Sequence, residues 1–307
     1  MAWSERWRFP FSGTSYKFNL ECLADFQLGS RSCCEWKIEQ HIKDILEDAP
    51  AVDSGVIFAG DIEDEDRPST RVIRAKIAAE RGEVVERDSM KHVAWLEHKV
   101  IPLLLKLHKG TKFGIMGGVA GHHYTQIASG TNSVQYIYRR LHELTGKPCV
   151  YLGEMVSFLD FRFIPNKTTP TSAGGVRQVG LLQHGEGGGQ TKGATVSKLE
   201  RAAQGFNADF FIRGHDCQLV GTKTDQLYAK DSRSGEDPSI SCKTKAMLNL
   251  GSATMGYEMG RGPSSYIESA MMRPATMGWG RLKFRIRRAW KGEDESHNYR
   301  ADIKLEF

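Results

Sequence analysis

Five times along this 307-residue chain a short apolar run ends, and the residues that follow are Gly, Asp or His. Residues 18–24 stop at Asp25, and residues 54–59 run into Gly60-Asp61. Residues 112–116 lead through a Gly-rich turn to Gly121-His122-His123. Residues 176–182 reach His184-Gly185, and residues 209–212 reach Gly214-His215. Runs this short between turn residues read as buried strands. Open α/β sheets hold ligands just beyond the carboxyl ends of their strands. The pattern therefore predicts an α/β fold whose strand ends converge on one polar site. Carboxylate and imidazole together suit divalent metals, with imidazole leaning toward Zn, Fe or Mn.

Helical periodicity fills the intervals. It covers residues 35–47, residues 70–109 with a break near Gly82, residues 133–144 up to Gly146, and residues 195–204. Residues 150–163 read as one or two strands. Residues 280–288 alternate cleanly, with Leu282, Phe284 and Ile286 on one face and Lys283, Arg285 and Arg287 on the other. Residues 1–15 read as an irregular arm carrying aromatics. Residues 167–175, 186–193 and 222–244 read as loops. The expected organisation is an arm over 1–15, one domain over 16–291, and a tail or edge strand over 292–307.

Composition narrows the class. Apolar residues make up 40% of the chain and charged residues 26%, with a mean hydropathy of −0.43. These values exclude a disordered chain and a membrane bundle. The net charge of +5 suits an anionic substrate but does not by itself argue for nucleic acid. Six cysteines occur without a C-x-x-C pair, so reduced thiols are expected. No signal-like apolar segment opens the sequence, and the expected location is cytoplasmic, away from membranes.

The blocks at the strand ends, taken in order, resemble the calcineurin-like metallophosphoesterase superfamily, closest in style to its phage and bacterial members. The family's Asp-x-His appears as Asp25-Phe26-Gln27. Its Gly-Asp-x-x-Asp is matched in full by Gly60-Asp61-Ile62-Glu63-Asp64. Its Gly-Asn-His appears as Gly121-His122-His123. Its His-Gly is matched by His184-Gly185, and its Gly-His-x-His appears as Gly214-His215-Asp216-Cys217. Asn249-Leu250-Gly251-Ser252 resembles the segment that often follows.

The resemblance implies a four-layer α/β/β/α sandwich with two packed mixed sheets, the metallo-dependent phosphatase fold. It implies metal-dependent hydrolysis of a phosphoester by metal-activated hydroxide, with a lean toward phosphodiesters of nucleic acid or nucleotides. Asp61 would bridge two metal ions. Asp25, Gln27 and Cys217 would hold the first, and His122, His184 and His215 the second. His123 would act near the leaving group. Asp64 would orient neighbouring groups, and Asp216 or Gln218 would stand in for Cys217 if the loop shifts.

The departures fall on the first ion, where Gln27 and Cys217 replace histidines. A thiolate favours Zn over Mn or Mg. One or two ions per chain are therefore expected, of Mn, Zn or Fe. The alternative is a catalytically impaired protein of this fold that binds phosphate-bearing ligands or nucleic acid.

Plainer readings stand beside these. Asp25 and Asp61 could cap helices, the histidines could be structural, and Cys217 could be a small core residue. The glycine run after Glu186 lacks the Gly-Lys-Ser/Thr of a phosphate loop. Residues 63–66 read as a local acidic run that repels polyanions. The basic face Lys283, Arg285, Arg287 reads either as a nucleic-acid track or as a solvated strand face.

Overall fold

A computed structural model describes residues 3–30, 32–64, 89–127, 130–166, 175–186, 191–230, 239–255, 277–289 and 299–307. Two six-stranded mixed sheets form its centre. Sheet B contains β2 (Ser15–Leu23), β3 (Asp53–Ala59), β4 (Ile115–Val119) and β5 (Val150–Tyr151), paired in parallel. Antiparallel β11 (Gly280–Arg288) and β12 (Tyr299–Glu306) extend it beyond β2. Sheet A runs in the order β1 (Trp3–Phe11), β6 (Val156–Pro165), β7 (Val176–His184), β8 (Phe210–Gly214), β10 (Ser239–Asn249) and β9 (Val220–Lys230).

The sheets are held face to face by aromatic side chains. Phe284 of β11 is 1% exposed. Its ring lies 5.9 Å from Phe18, 5.8 Å from Phe161, 5.7 Å from Phe163 and 5.3 Å from Phe210. Phe9 of β1 stacks on Phe163 at 4.9 Å and meets Phe18 at 4.5 Å. These residues occupy alternate positions on their strands, so the two-residue period turns them all inward. Aromatic pairs at such separations add to the gain from burial.

Helices cover the outer faces. α1 (Glu35–Asp48) buries Ile38, Ile42 and Ile45. α2 (Ser89–Trp95) passes through a π-helical turn over Leu96–Val100 into α3 (Ile101–Gly110). α4 (Ser133–Thr145) starts at a capping box between Asn132 and Gln135 and ends at Gly146 in the left-handed conformation. All of these join the core of sheet B. α5 (Lys192–Gly205) covers sheet A, where Leu199 and Ala203 pack with Leu181, Phe211 and Met247. The result is the four-layer α/β/β/α sandwich with two packed mixed sheets. No described helix is long and apolar enough to cross a membrane.

Several local expectations are corrected. Residues 3–11 are not an irregular arm: they form β1, which pairs in parallel with β6 from Trp3–Ser157 to Phe11–Pro165. The irregular reading fails because Phe9 and Phe11 are core residues, 0% and 4% exposed. Of the span 222–244, residues 231–238 lie outside the described residues, and 222–230 and 239–244 belong to the antiparallel pair β9–β10. Its polar residues fit a sheet edge that faces water on one side. The strand expected at 112–116 begins later, at Ile115, after a turn with Gly114 at φ 66°. Of the helix expected over 70–109, residues 70–88 lie outside the described residues, as do 167–174 and 187–190 of the expected loops. All six cysteines are free thiols.

Predictions for the core concern its aromatic seam, with a surface control, and one buried histidine. Phe284→Ala leaves a cavity between the sheets and should cost about 3–5 kcal/mol in urea unfolding. Leu227→Ala, at a side chain 68% exposed, should stay within about 0.5 kcal/mol of the parent. The histidine is His108, which is fully buried. The Ile115 N–H donates to its Nδ1 at 2.8 Å, and its Nε2 meets Thr145 Oγ1 at 2.8 Å. Burial, then the charges of Lys147 and His142, push this imidazole down from 6.5 to about 4. The unfolded chain therefore binds the extra proton first. The stability His108 contributes is complete above pH 6.5 and lost as pH falls toward 4. Melting temperatures between pH 4 and 7 should show this loss in the parent and a flatter profile in His108→Gln.

Candidate metal centre

The strand ends leave their sheets by an unusual backbone. Asp25, Gln27, Asp61, His215 and Cys217 have φ of 51°, 47°, 54°, 79° and 49°. Among the described residues these are the non-glycine positions with positive φ. Each costs of order 1–3 kcal/mol and persists only where its surroundings enforce it. Here backbone bonds do so. The N–H of Asp25 donates to Gly60 O at 3.1 Å, that of Gln27 to Asp61 O at 3.0 Å, and that of Asp61 to Ala120 O at 2.9 Å. Gly60 and Gly121, at φ 100° and 85°, complete the packing. A Cβ on Gly60 would strike His184 Nδ1, and one on Gly121 would strike Asp61 Oδ1.

Four side chains converge. Asp61 and His122 come from sheet B, after β3 and β4, and His184 and His215 from sheet A, on β7 and after β8. One ligand-type atom from each lies within 4.8 Å of the others. His184 Nε2 is 3.1 Å from Asp61 Oδ2. The ring centroids of His122, His184 and His215 are 4.7–5.1 Å apart.

Hydrogen bonds orient this group. The backbone N–H groups of His122 and His123 donate to Asp61 Oδ1 at 2.6 and 2.9 Å, which turns Oδ2 toward the imidazoles. His184 Nδ1 lies 2.7 Å from Ala59 O. The carbonyl can only accept, so Nδ1 carries a proton and Nε2 is the nitrogen turned inward, the orientation in which a metal-ligating histidine gives up its Nε2 proton to the ion. The His215 N–H donates to Asp25 Oδ2 at 2.9 Å.

What remains is a set of buried polar atoms without hydrogen-bond partners: Asp25 Oδ1, Asp61 Oδ2, His122 Nδ1 and His184 Nε2. Orphaned buried groups of this kind each cost about 1–3 kcal/mol. A divalent cation among them would satisfy several at once, and the mixed imidazole–carboxylate donor set fits Zn, Mn or Fe. The residues present therefore fit a metal ion.

Electrostatics follow from burial and crowding. Burial alone would raise Asp61, but His184 and then His123 hold its carboxyl below the ordinary range. Asp25 is pushed up to about 7 by burial and the nearby Asp61 charge, against the pull of His184. Burial works to lower His184, yet Asp61 raises it to about 9. Burial, then the charges of His184 and His122, push His215 down to about 4. Burial and His184 likewise lower His122. Neutral imidazoles at His122 and His215 have lone pairs ready for a metal at neutral pH.

The remaining candidates are placed as follows. His123 Nδ1 is 3.2 Å from Asp64 Oδ1, and its Nε2 is 3.6 Å from Asp61 Oδ2. Burial opposes protonation of His123, but Asp64 and Asp61 outweigh it and raise the imidazole. Asp25 and Cys217 lie outside the four-residue group, and Gln27 is tied beside it by its N–H to Asp61 O at 3.0 Å. The Cys217 thiol faces His215 O at 3.5 Å, and burial raises it well above its ordinary value. Asp216 is not free to replace it: Lys198 Nζ lies 2.8 Å and Arg213 Nε 3.4 Å from its carboxylate. Gln218 is buried, and its backbone carbonyl accepts from Asn249 Nδ2 at 2.7 Å.

The acidic run is corrected in its first half. Glu63 and Asp64 are not part of an exposed acidic run, being 1% and 4% exposed, while residues 65 and 66 lie outside the described residues. Glu63 Oε1 accepts from Ser133 Oγ at 2.5 Å and from the Thr125 N–H at 3.1 Å, which anchors the loop carrying His122 and His123. Glu63 falls on an unspecified position of the Gly-Asp-x-x-Asp block, so the motif carries no signal for this role. The clasp on Asp216 joins Arg213, three residues away on β8, to Lys198 of α5, and no sequence motif marks it.

No protein-family model matches the chain, and no curated protein matches it. Among solved structures, the crystal structure of a conserved uncharacterized protein of Streptococcus pneumoniae TIGR4, described as a predicted phosphoesterase, covers 94% of this chain and 98% of its own. The two are 14% identical, with a TM-score of 0.30.

Proposed function

We propose that this protein is a metal-dependent hydrolase of phosphoester bonds. One observation carries the reading: Asp61, His122, His184 and His215 bring ligand atoms within 4.8 Å, and buried atoms of this group lack hydrogen-bond partners. When bound, divalent ions supply Lewis acidity for activating water and for neutralising charge on phosphoryl oxygens.

The chain's own residues supply the rest. Asp61 directs Oδ2 inward because Oδ1 is occupied by two backbone donors. His184 directs Nε2 inward because Ala59 O holds the proton on Nδ1. Asp25 keeps Oδ1 available beside them while its Oδ2 holds the His215 loop. His123, tethered by Asp64, stands at the rim with its ring 19% exposed. From there Nε2 can pass a proton to a departing oxygen. The substrate class we favour is a phosphodiester of a nucleotide or nucleic acid. The location we favour is cytoplasmic.

Gln27 and Cys217 favour a second reading. Both stand where the resemblance expects histidines, so the position fed by Asp25, Gln27 and Cys217 holds an ion weakly or not at all. In that case the protein binds phosphate-bearing ligands without turnover.

Metal content of chelator-free protein, read with hydrolysis of bis-p-nitrophenyl phosphate under added Mn or Zn, separates the two. The hydrolase should turn over substrate, and Asp61→Asn or His184→Ala should lose the metal and roughly a thousandfold or more in rate with the fold retained. Unchanged turnover in either variant would sink the proposed centre. Cys217→His should raise the number of ions bound per chain. An unchanged stoichiometry would remove Cys217 from the ligand set.

A further inference from the structure

A groove of about 1100 Å³ opens at the end of the molecule opposite the candidate metal centre. It is lined by the amino-terminal ends of β7 and β8, by β10, and by the β11–β12 pair. β7 itself spans the distance between the two sites. It enters at Val176 in the groove wall and ends at His184, eight residue steps or roughly 26 Å away.

The charge of the groove is one-sided. Sheet A contributes Arg177, Lys223 and Lys243 to the lining, and sheet B contributes Arg285, Arg300 and Lys304. Against these six cations stand two carboxylates, Asp209 and Asp302, a surplus of four in a chain whose net charge is +5. Asp209 is engaged by Lys243 Nζ at 2.7 Å, and Asp302 by Arg287 Nε at 3.3 Å and by Arg300 Nε at 3.6 Å. Arg177 shares Asp160 with Arg6 and Arg162. Lys223 Nζ reaches across to Ile303 O at 2.8 Å, so the two walls meet. Arg285 and Lys304 are exposed and make no ion pair among the described residues.

This arrangement revises the basic face read from β11. Lys283 and Arg287 are neutralised by Glu306 and Asp302, at 2.6 and 3.3 Å. Arg285 alone of the three lines the groove.

We propose that this groove binds the phosphate backbone of a single-stranded nucleic acid. The volume exceeds the roughly 300–1,000 Å³ that accommodates one drug-sized ligand. Cations spread over two facing walls match a ligand with repeated negative charge, not a lone anion. A strand lying between the walls can be reached from both sides, whereas a duplex would present one flank to one wall. Tyr299, the aromatic of the lining, is 6% exposed and offers no stacking face, so binding rests on backbone charge without sequence preference. The groove would hold substrate at a distance from the metal centre.

The test measures anisotropy of a fluorescent 20-nucleotide single strand with the full chain in EDTA, across a sodium chloride series. Removing metal makes the readout independent of the proposed hydrolysis. The double variant Arg285→Ala/Lys304→Ala should weaken binding and flatten the slope of log K against log salt by about 1.4, at ~0.7 for each lost phosphate contact. Its hydrolysis of bis-p-nitrophenyl phosphate should match the parent's, which also certifies the fold, and circular dichroism serves that purpose if the parent proves inactive. An unchanged affinity and slope in the double variant would overturn the groove assignment. Equal affinity for a duplex of the same sequence would overturn its single-strand character. Loss of binding in the variant with no turnover in any protein would leave the groove standing and remove the hydrolase reading.

Discussion

The Asp61 carboxylate is fastened on one side and open on the other, and the candidate centre is organised around that asymmetry. Its Oδ1 takes two backbone N–H groups from the turn after β4, and its own N–H is given to Ala120. Its Oδ2 faces His184 from the opposite sheet. One side chain thus ties β3, β4 and β7 at the seam of the sandwich. His184, bonded to Ala59, and His215, bonded to Asp25, repeat the tie in the reverse direction. Sheet B thus orients its own Asp61 and the two histidines that sheet A contributes, so the centre needs both sheets.

Such a centre carries unfavourable local terms. Five non-glycine residues hold left-handed backbone, and buried oxygens and nitrogens go without partners. The aromatic contacts around Phe284 and the buried faces of the helices supply the opposing stabilisation. Strain gathered at one edge and packing spread through the middle is the distribution expected when a fold supports a reactive site.

Much of this was legible in the sequence because the chemistry sits at strand ends. Short apolar runs announce buried strands, and the polar residue after each announces where the strand stops. Asp61, His122, His184 and His215 were accessible on that basis. The β1 strand was not, since Trp7, Phe9 and Phe11 alternate within a segment interrupted by Arg8 and Pro10. Parallel pairing with β6, some 150 residues away, leaves no local mark. The β9–β10 pair was missed for a related reason: a polar sheet edge and a polar loop have the same composition. Long-range ties such as Lys198 to Asp216 depend on tertiary contact and have no periodicity to betray them.

The layered aromatic seam has a mechanical consequence. The inward-facing donors are shared between two sheets whose facing surfaces interlock through Phe9, Phe18, Phe161, Phe163, Phe210 and Phe284. Sliding one sheet over the other would need those rings to repack together, and close-packed interiors resist continuous shear. The centre therefore inherits the stiffness of the core. The spacing of Asp61, His122, His184 and His215 is thus set by the packing of the whole sandwich rather than by the turns that carry them.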